Sequence, residues 1–347
     1  MATSIETFTA GTETAVDVAE VERQLRDLWK LASKDVHQRI TRACLFNLIA
    51  YVETIADRDC VTAIISEVTS RHPCRAMVLL AQPELPRDEI AASITAHCHL
   101  AGGGGRQVCC EQISIHASGQ RVADLPGAVL PLLESDLPAV LWWSGNFLDR
   151  LDLFRRLRSV TDRLIFDTSS WPPPVNLRQL ASELPAPSQF SDLSWTRLAL
   201  WQQLVAEAFD EPHCAAALPR LSEVEVIHGG GPGATLRAQL LGGWVAAQLG
   251  WSAAETQARL RLSCREDRDA TTVGVMALTL RGPDFEVRVY KNHGEHTASV
   301  VVNVPDACGL PRKRAFAPDD VAALLGQELD RTPTPAVYRR ALLQAGN

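Results

Sequence analysis

The sequence predicts an α/β protein with a mixed-sheet N-terminal domain and covering helices, followed by an α+β domain with an antiparallel meander. Three observations predict it. Residues 41–52, TRACLFNLIAYV, and 74–80 are nearly continuous apolar runs, as strands covered on both faces require. Between them the apolar spacing becomes helical, through Val61, Ile64, Ile65 and Val68. Beyond residue 256 the pattern turns into β-rich runs joined by short turns such as Arg281-Gly282-Pro283-Asp284, which suits antiparallel pairing.

Residues 1–18 read as a loose tail. They carry Glu6, Glu13 and Asp17 and lack the basic and apolar regions of a signal peptide. In 16–31, Val18, Val21, Leu25 and Leu28 recur at helical spacing, with Trp29 and Leu31 closing the face. The strand 41–52 follows, then a helix over 57–70. His72-Pro73 ends that helix, because proline pushes the residue before it out of the helical region. With the strand 74–80 this makes a β-α-β unit, whose strands pair in parallel.

Residues 90–99 alternate, with Ile94, Ala96 and Cys98 on one side and Thr95, His97 and His99 on the other. Gly102 to Gly105 turn the chain, and 107–116 returns as the second strand of a hairpin. A helix over 122–133, a strand over 139–143, a helix over 148–158 and a strand over 163–167 complete this half. Trp171-Pro172-Pro173-Pro174 and Leu184-Pro185-Ala186-Pro187 then bracket a linker with one small helix. The domains are therefore placed at 19–171 and 172–347.

The second domain is expected to hold a long helix over 193–209, a strand over 224–227, a glycine turn from Gly229 to Gly233 and a helix over 234–249. The runs 256–263, 271–280, 284–290 and 297–304 would form the meander, and helices over 318–328 and 336–344 close the chain.

At about 150 residues per domain, a chain of 347 residues makes roughly two domains. Its net charge of −7 argues against nucleic acid or an anionic membrane as partner, since both demand a basic field. The longest apolar run, 129–143, is broken by Pro131, Glu134, Asp136 and Pro138, so no membrane span is expected. Nine cysteines, an odd number without a signal segment, read as reduced thiols of a cytoplasmic protein.

The motifs that could carry chemistry are sparse. Gly229-Gly230-Gly231-Pro232-Gly233 sits between a strand and a helix, where free amides attract phosphate. It satisfies neither GxGxxG nor GxxxxGK[ST], and a plain tight turn is the favoured account. His97, His99, Cys98, Cys109 and Cys110 bring imidazole and thiol together, but alternation puts Cys98 opposite both histidines and no CxxC occurs. Cys109 and Cys110, adjacent in a strand, point to opposite faces and cannot bridge to each other, although each could meet another thiol. Ser144 lacks the flanking glycines of a nucleophile elbow, and no HExxH appears. Glu111, charged within an apolar strand, belongs at a sheet edge or against an arginine such as Arg75. Asp167 at a strand end reads as a helix N-cap. Trp142 and Trp143 end a strand on opposite faces, so at least one should be exposed. No catalytic residue, cofactor or metal is assigned.

Several separated stretches nevertheless form a pattern. They are Asn47-Leu48-Ile49, His72-Pro73-Cys74-Arg75, Cys109-Cys110-Glu111-Gln112-Ile113, Asp136-Leu137-Pro138 with Leu141-Trp142-Trp143, and Asp162-Arg163-Leu164-Ile165 with Asp167. Further on come Asp192-Leu193-Ser194-Trp195-Thr196-Arg197 with Trp201, Leu241-Gly242-Gly243-Trp244 with Leu249-Gly250-Trp251, and residues 324–329 with Val337-Tyr338. In this order, from about residue 40 to the C-terminus, the chain resembles the OpcA family, the glucose-6-phosphate dehydrogenase assembly proteins of cyanobacteria and actinobacteria.

The resemblance implies a non-catalytic protein that binds glucose-6-phosphate dehydrogenase, favours its active oligomer and raises its response to glucose 6-phosphate. It also implies redox control through thioredoxin, for which Cys109, Cys110, Cys264 and Cys308 are the candidate thiols. The exposed member of Trp142 and Trp143, together with Arg312, Lys313 and Arg314, is the expected partner interface. The alternative is a nucleotide- or sugar-phosphate-binding enzyme using the turn Gly229 to Gly233.

Overall fold

The computed structural model describes residues 5–15, 18–32, 39–101, 106–184, 189–210, 212–265, 274–292, 295–304, 307–308, 312–317, 319–331 and 335–346. The glycine turn 102–105 and the prolines at 185 and 187 lie outside them. The fold is mixed α/β with two sheets, as expected. The chain divides into two compact units, residues 1–166 with 321–331, and 167–320 with 332–347. Compared with the expected single cut after residue 171, the division falls earlier, and the helix Val321–Leu329 returns to the first unit.

The first unit comprises β1 (Ile5–Ala15), α1 (Val18–Ala32), β2 (Arg39–Arg42), β3 (Phe46–Val52), α2 (Ile55–Val68), β4 (Cys74–Gln82), β5 (Ile90–Ala101), β6 (Arg106–Ser118), α3 (Leu125–Val129), β7 (Ala139–Trp143), α4 (Leu151–Arg158) and β8 (Arg163–Phe166). The strand order is β1-β5-β6-β4-β3-β7-β8, with β2 also on β6. β3 and β4 pair in parallel around α2, the predicted crossover unit. Every residue of β3 and β7 is buried, as their apolar runs require. α2 starts at Thr54, whose hydroxyl accepts from the Asp57 amide at 3.1 Å, a cap of about 1 kcal/mol.

Three expectations change here. The loose tail is strand β1, antiparallel to β5 from Ile5 opposite His99 to Ala15 opposite Ala91, so backbone pairing that local composition does not advertise orders it. The single strand 41–52 is two, because β2 pairs with β6 whereas β3 lies between β4 and β7. The helix 122–133 is reduced to α3 flanked by 3₁₀ turns, since Pro126 and Pro131 lack the amide a continuous helix needs.

The second unit comprises α5 (Leu177–Glu183), β9 (Phe190–Asp192), α6 (Leu193–Thr196), α7 (Ala199–Ala208), α8 (Pro212–Ala217), β10 (Glu223–His228), α9 (Ala234–Gln248), α10 (Ala253–Arg259), β11 (Leu260–Cys264), β12 (Val275–Arg281), β13 (Glu286–Lys291), β14 (Thr297–Val304), β15 (Ala307–Cys308) and β16 (Arg312–Ala315). After the helix Val321–Leu329 (α11) of the first unit, α12 (Pro335–Ala345) closes the chain. β12, β13 and β14 form the predicted antiparallel meander.

The run 256–263 does not join that meander. Its first half is helix α10, opened by a Ser252–Glu255 capping box, and β11 pairs in parallel with β10. The helix 193–209 is likewise two, α6 and α7, separated at Arg197 and Leu198. No helix among the described residues is long and apolar enough to cross a membrane.

Candidate functional site

The basic segment Arg312-Lys313-Arg314 forms strand β16, antiparallel to β14 and exposed at all four positions. Lys313 lies 3.4 Å from Glu295 and Arg314 3.7 Å from Glu207, both open to solvent, where such pairs contribute little. No strand pairs with the outer side of β16 among the described residues. It presents positive side chains beside unpaired backbone groups, which suits an acidic, extended partner segment.

The tryptophans are placed otherwise. Trp142 is 4% exposed and Trp143 1%, which corrects the expectation that one of them stands at the surface. The reason is that β7 is an interior strand between β3 and β8, covered on both faces. Trp143 stacks on Tyr51 with ring centroids 3.7 Å apart and meets Phe154 edge-on.

The cysteines also divide differently. Cys98 and Cys109 face each other across the β5–β6 hairpin and form a disulfide, buried in the sheet, so not all thiols are reduced. The signal was in the sequence: pairing the two alternating strands as a hairpin sets Cys98 opposite Cys109, as it sets Ile90 opposite Ala117. Cys110, on the other face, is a free thiol whose burial pushes its pKa up to about 11, so it is a poor nucleophile near neutral pH. Cys264 is free and exposed at the end of β11. Cys308 lies in β15, and its side chain is outside the described residues.

His97 and His99 share the face opposite the disulfide. Nε2 of His97 lies 3.1 Å from the Gln112 carbonyl oxygen, and Nε2 of His99 3.1 Å from the Thr69 hydroxyl. Burial lowers the pKa of both imidazoles and keeps them neutral. No group of three or more metal-binding side chains is assembled among the described residues.

Glu111 is buried against Arg75, as one reading of the sequence held. Arg42 reaches the same carboxylate at 2.8 Å, and Trp29 donates its indole N–H to it at 3.2 Å. Arg75 also pairs with Glu134 at 2.9 Å and donates to the Leu132 carbonyl. The carboxylate is thus held by two guanidinium groups and an indole N–H, a buried ion-pair knot within the sheet.

In the second unit Asp167 caps the turn Thr168–Ser170, as expected, by accepting from the Ser169 amide at 3.0 Å. Nη1 of Arg197 donates to both of the Asp167 carboxylate oxygens, at 2.9 and 3.0 Å. Asp192 is buried and accepts from the amides of Thr168 and Ser194 and the hydroxyls of Thr168 and Tyr338. Burial, reinforced by the charge of Asp167, raises its carboxyl to about 6. The Gly229–Gly233 turn does connect β10 to the N-terminus of α9.

Residues 65–182 match the family model of the glucose-6-phosphate dehydrogenase subunit N-terminal domain, and 188–342 match that of its C-terminal domain. The chain belongs to the OpcA glucose-6-phosphate dehydrogenase assembly family. Its relatives include an OxPP cycle protein, OpcA, from Synechocystis, 31% identical over 194 residues that cover 55% of this chain and 40% of that protein. The OpcA of Nostoc punctiforme is 32% identical over 191 residues, 54% of this chain and 40% of that one. The chain spans less than half the length of these OpcA relatives. Among solved structures, the aldose-aldose oxidoreductase of Caulobacter crescentus covers 87% of this chain and 95% of its own at 13% identity. Its TM-score of 0.42 is too low to carry fold or activity across.

The family's description refers to a glucose-6-phosphate dehydrogenase subunit, and the names of the relatives refer to the OxPP cycle. In this chain β16 is an exposed basic strand, whereas Trp142, Trp143 and Glu111 are buried.

Proposed function

We propose that this chain is a non-catalytic allosteric activator and assembly factor that binds glucose-6-phosphate dehydrogenase, favours its active oligomer and raises its response to glucose 6-phosphate. The observation that carries this reading is the match of both halves to domains of a glucose-6-phosphate dehydrogenase subunit. The sequence supports it, since no nucleophile elbow, HExxH or P-loop occurs.

An activator of this kind acts by binding one state of its partner better than the other. A differential of about 1–3 kcal/mol moves the equilibrium roughly 5- to 150-fold, and by linkage the sugar phosphate tightens the activator in return. We place the docking surface on β16, through Arg312, Lys313 and Arg314. Thiol control by thioredoxin would act on the Cys98–Cys109 bond, with the complex in the cytoplasm.

The test mixes the chain with the dehydrogenase of the same organism. Size-exclusion chromatography with light scattering should show a joint species, and the glucose 6-phosphate saturation curve should move to lower concentration. Arg314→Glu should weaken both effects. Separate elution with an unmoved curve, or turnover of a metabolite by this chain alone, would overturn the proposal.

A further inference from the structure

The turn before α9 has two features that a simple connection does not need. Gly233 adopts φ +65°, and a side chain there would collide with the backbone of Ser169, so the turn is held close against the segment Thr168–Ser170. α9 is a full 15-residue helix, yet no side chain caps it. Among the described residues the amides of Thr235 and Leu236 find no acceptor. Gly230, Gly231 and Thr235 are exposed, so this positive helix end opens to solvent.

Beneath the same turn lies Arg237, in the first turn of α9 and only 8% exposed. Its guanidinium sits against Gly274, 3.1 Å from where a Cβ would stand, and gives one long hydrogen bond, 3.4 Å, to the Pro232 carbonyl. Its Nε is buried without a partner. The carboxylates in its vicinity are engaged elsewhere. Asp167 and Asp319 hold Arg197, and Asp192 is bound by Thr168, Ser194 and Tyr338. Burial, and after it the neighbouring Arg197 cation, push the Arg237 pKa down, while the charges of Asp319, Asp167 and Asp192 act the other way without hydrogen-bonding to it. A buried charge left this way is costly, and an anion that meets both the guanidinium fork and the free helix amides relieves it.

We propose that the turn Gly229 to Gly233, the N-terminus of α9 and Arg237 form a binding site for the phosphate group of a small metabolite. The phosphate accepts hydrogen bonds from the Thr235 and Leu236 amides on one side and from the Arg237 fork on the other. The turn lacks the lysine and the metal-binding hydroxyl of a P-loop, so the site holds the group and transfers nothing. It lies within the second unit and needs no partner protein, so its fate is independent of the docking proposal.

The test is calorimetric titration of the purified full chain with inorganic phosphate and, separately, with glucose 6-phosphate, at constant ionic strength in chloride. Thr235→Asp puts a carboxylate where the phosphate would sit and also favours the helix dipole, so this variant should unfold no earlier than the parent. Binding should weaken about tenfold or more in Thr235→Asp and in Arg237→Gln. If inorganic phosphate binds, the group alone suffices. If only the sugar phosphate binds, with the same losses, the site takes a phosphate ester. No binding of either up to about 10 mM, or affinities unchanged in Thr235→Asp, would overturn the proposal.

Discussion

The carboxyl of Asp192 is a titration probe built into the second unit, and Asp192→Asn should stabilise the protein at neutral pH. In the folded chain burial raises this group from 3.8 to about 6. Below about pH 4 it is protonated whether the chain is folded or not, and its contribution is complete. As pH rises, the unfolded chain ionises first, and stability drains until the folded form also ionises near pH 6. At 1.36 kcal/mol for each pKa unit, the loss is about 3 kcal/mol. Asparagine carries no charge. Its carbonyl can keep the amide hydrogen bonds of Thr168 and Ser194, now 3.0 and 2.9 Å. Its amide would donate to the hydroxyls of Thr168 and Tyr338, which can rotate to accept. The assay is urea unfolding of parent and variant across the range, reading their difference because the other carboxylates are common to both. The variant should match the parent near pH 4 and lead it by about 3 kcal/mol above about pH 7. A difference independent of pH, or a variant that falls behind as pH rises, would show that the four donors keep Asp192 ionised and would refute the reasoning.

Arg75→Ala should cost about 3–5 kcal/mol in urea unfolding, because it leaves Glu111 buried beside only the half-exposed Arg42. The double variant Arg75→Met with Glu111→Leu should recover most of that loss. Gly243→Ala should lower stability by about 1–3 kcal/mol, since an added Cβ would meet the Ala341 carbonyl and lie 3.0 Å from Ala345 of α12. Gly127→Ala, with nothing within 4 Å, should be neutral or slightly stabilising when the two variants are melted side by side. Alkylation and peptide mapping check the thiols. In the folded protein Cys60 and Cys264 should react first, and after unfolding without reductant Cys98 and Cys109 should still be protected.

Much of the site chemistry was legible because it rests on local pattern. The Asp167 cap and the pairing of Glu111 with Arg75 follow from a charged residue at a strand end or inside an apolar strand. The placement of Trp142 and Trp143 was not legible, because alternation tells only that two neighbours face opposite sides. Whether both sides are covered depends on β3 and β8 flanking the strand, and on the layers over it. Arg237 was equally silent. It looks like one of many arginines, and only the folded chain shows that its Nε is buried without a partner beside the N-terminus of α9.

By itself the sequence determined the β3-α2-β4 crossover, the β5–β6 hairpin, the β12–β14 meander and the family, since each is written in apolar spacing, turn residues or ordered motifs along the chain. Only the tertiary structure decided that β1 joins the sheet, that β11 runs parallel to β10, that Val321–Leu329 returns to the first unit and that an uncapped helix end meets a buried arginine whose Nε has no partner. The physical reason is one of range. Periodicity records which face of an element is apolar, whereas strand partners and charge neighbours depend on residues far apart in sequence, and local pattern does not encode that meeting.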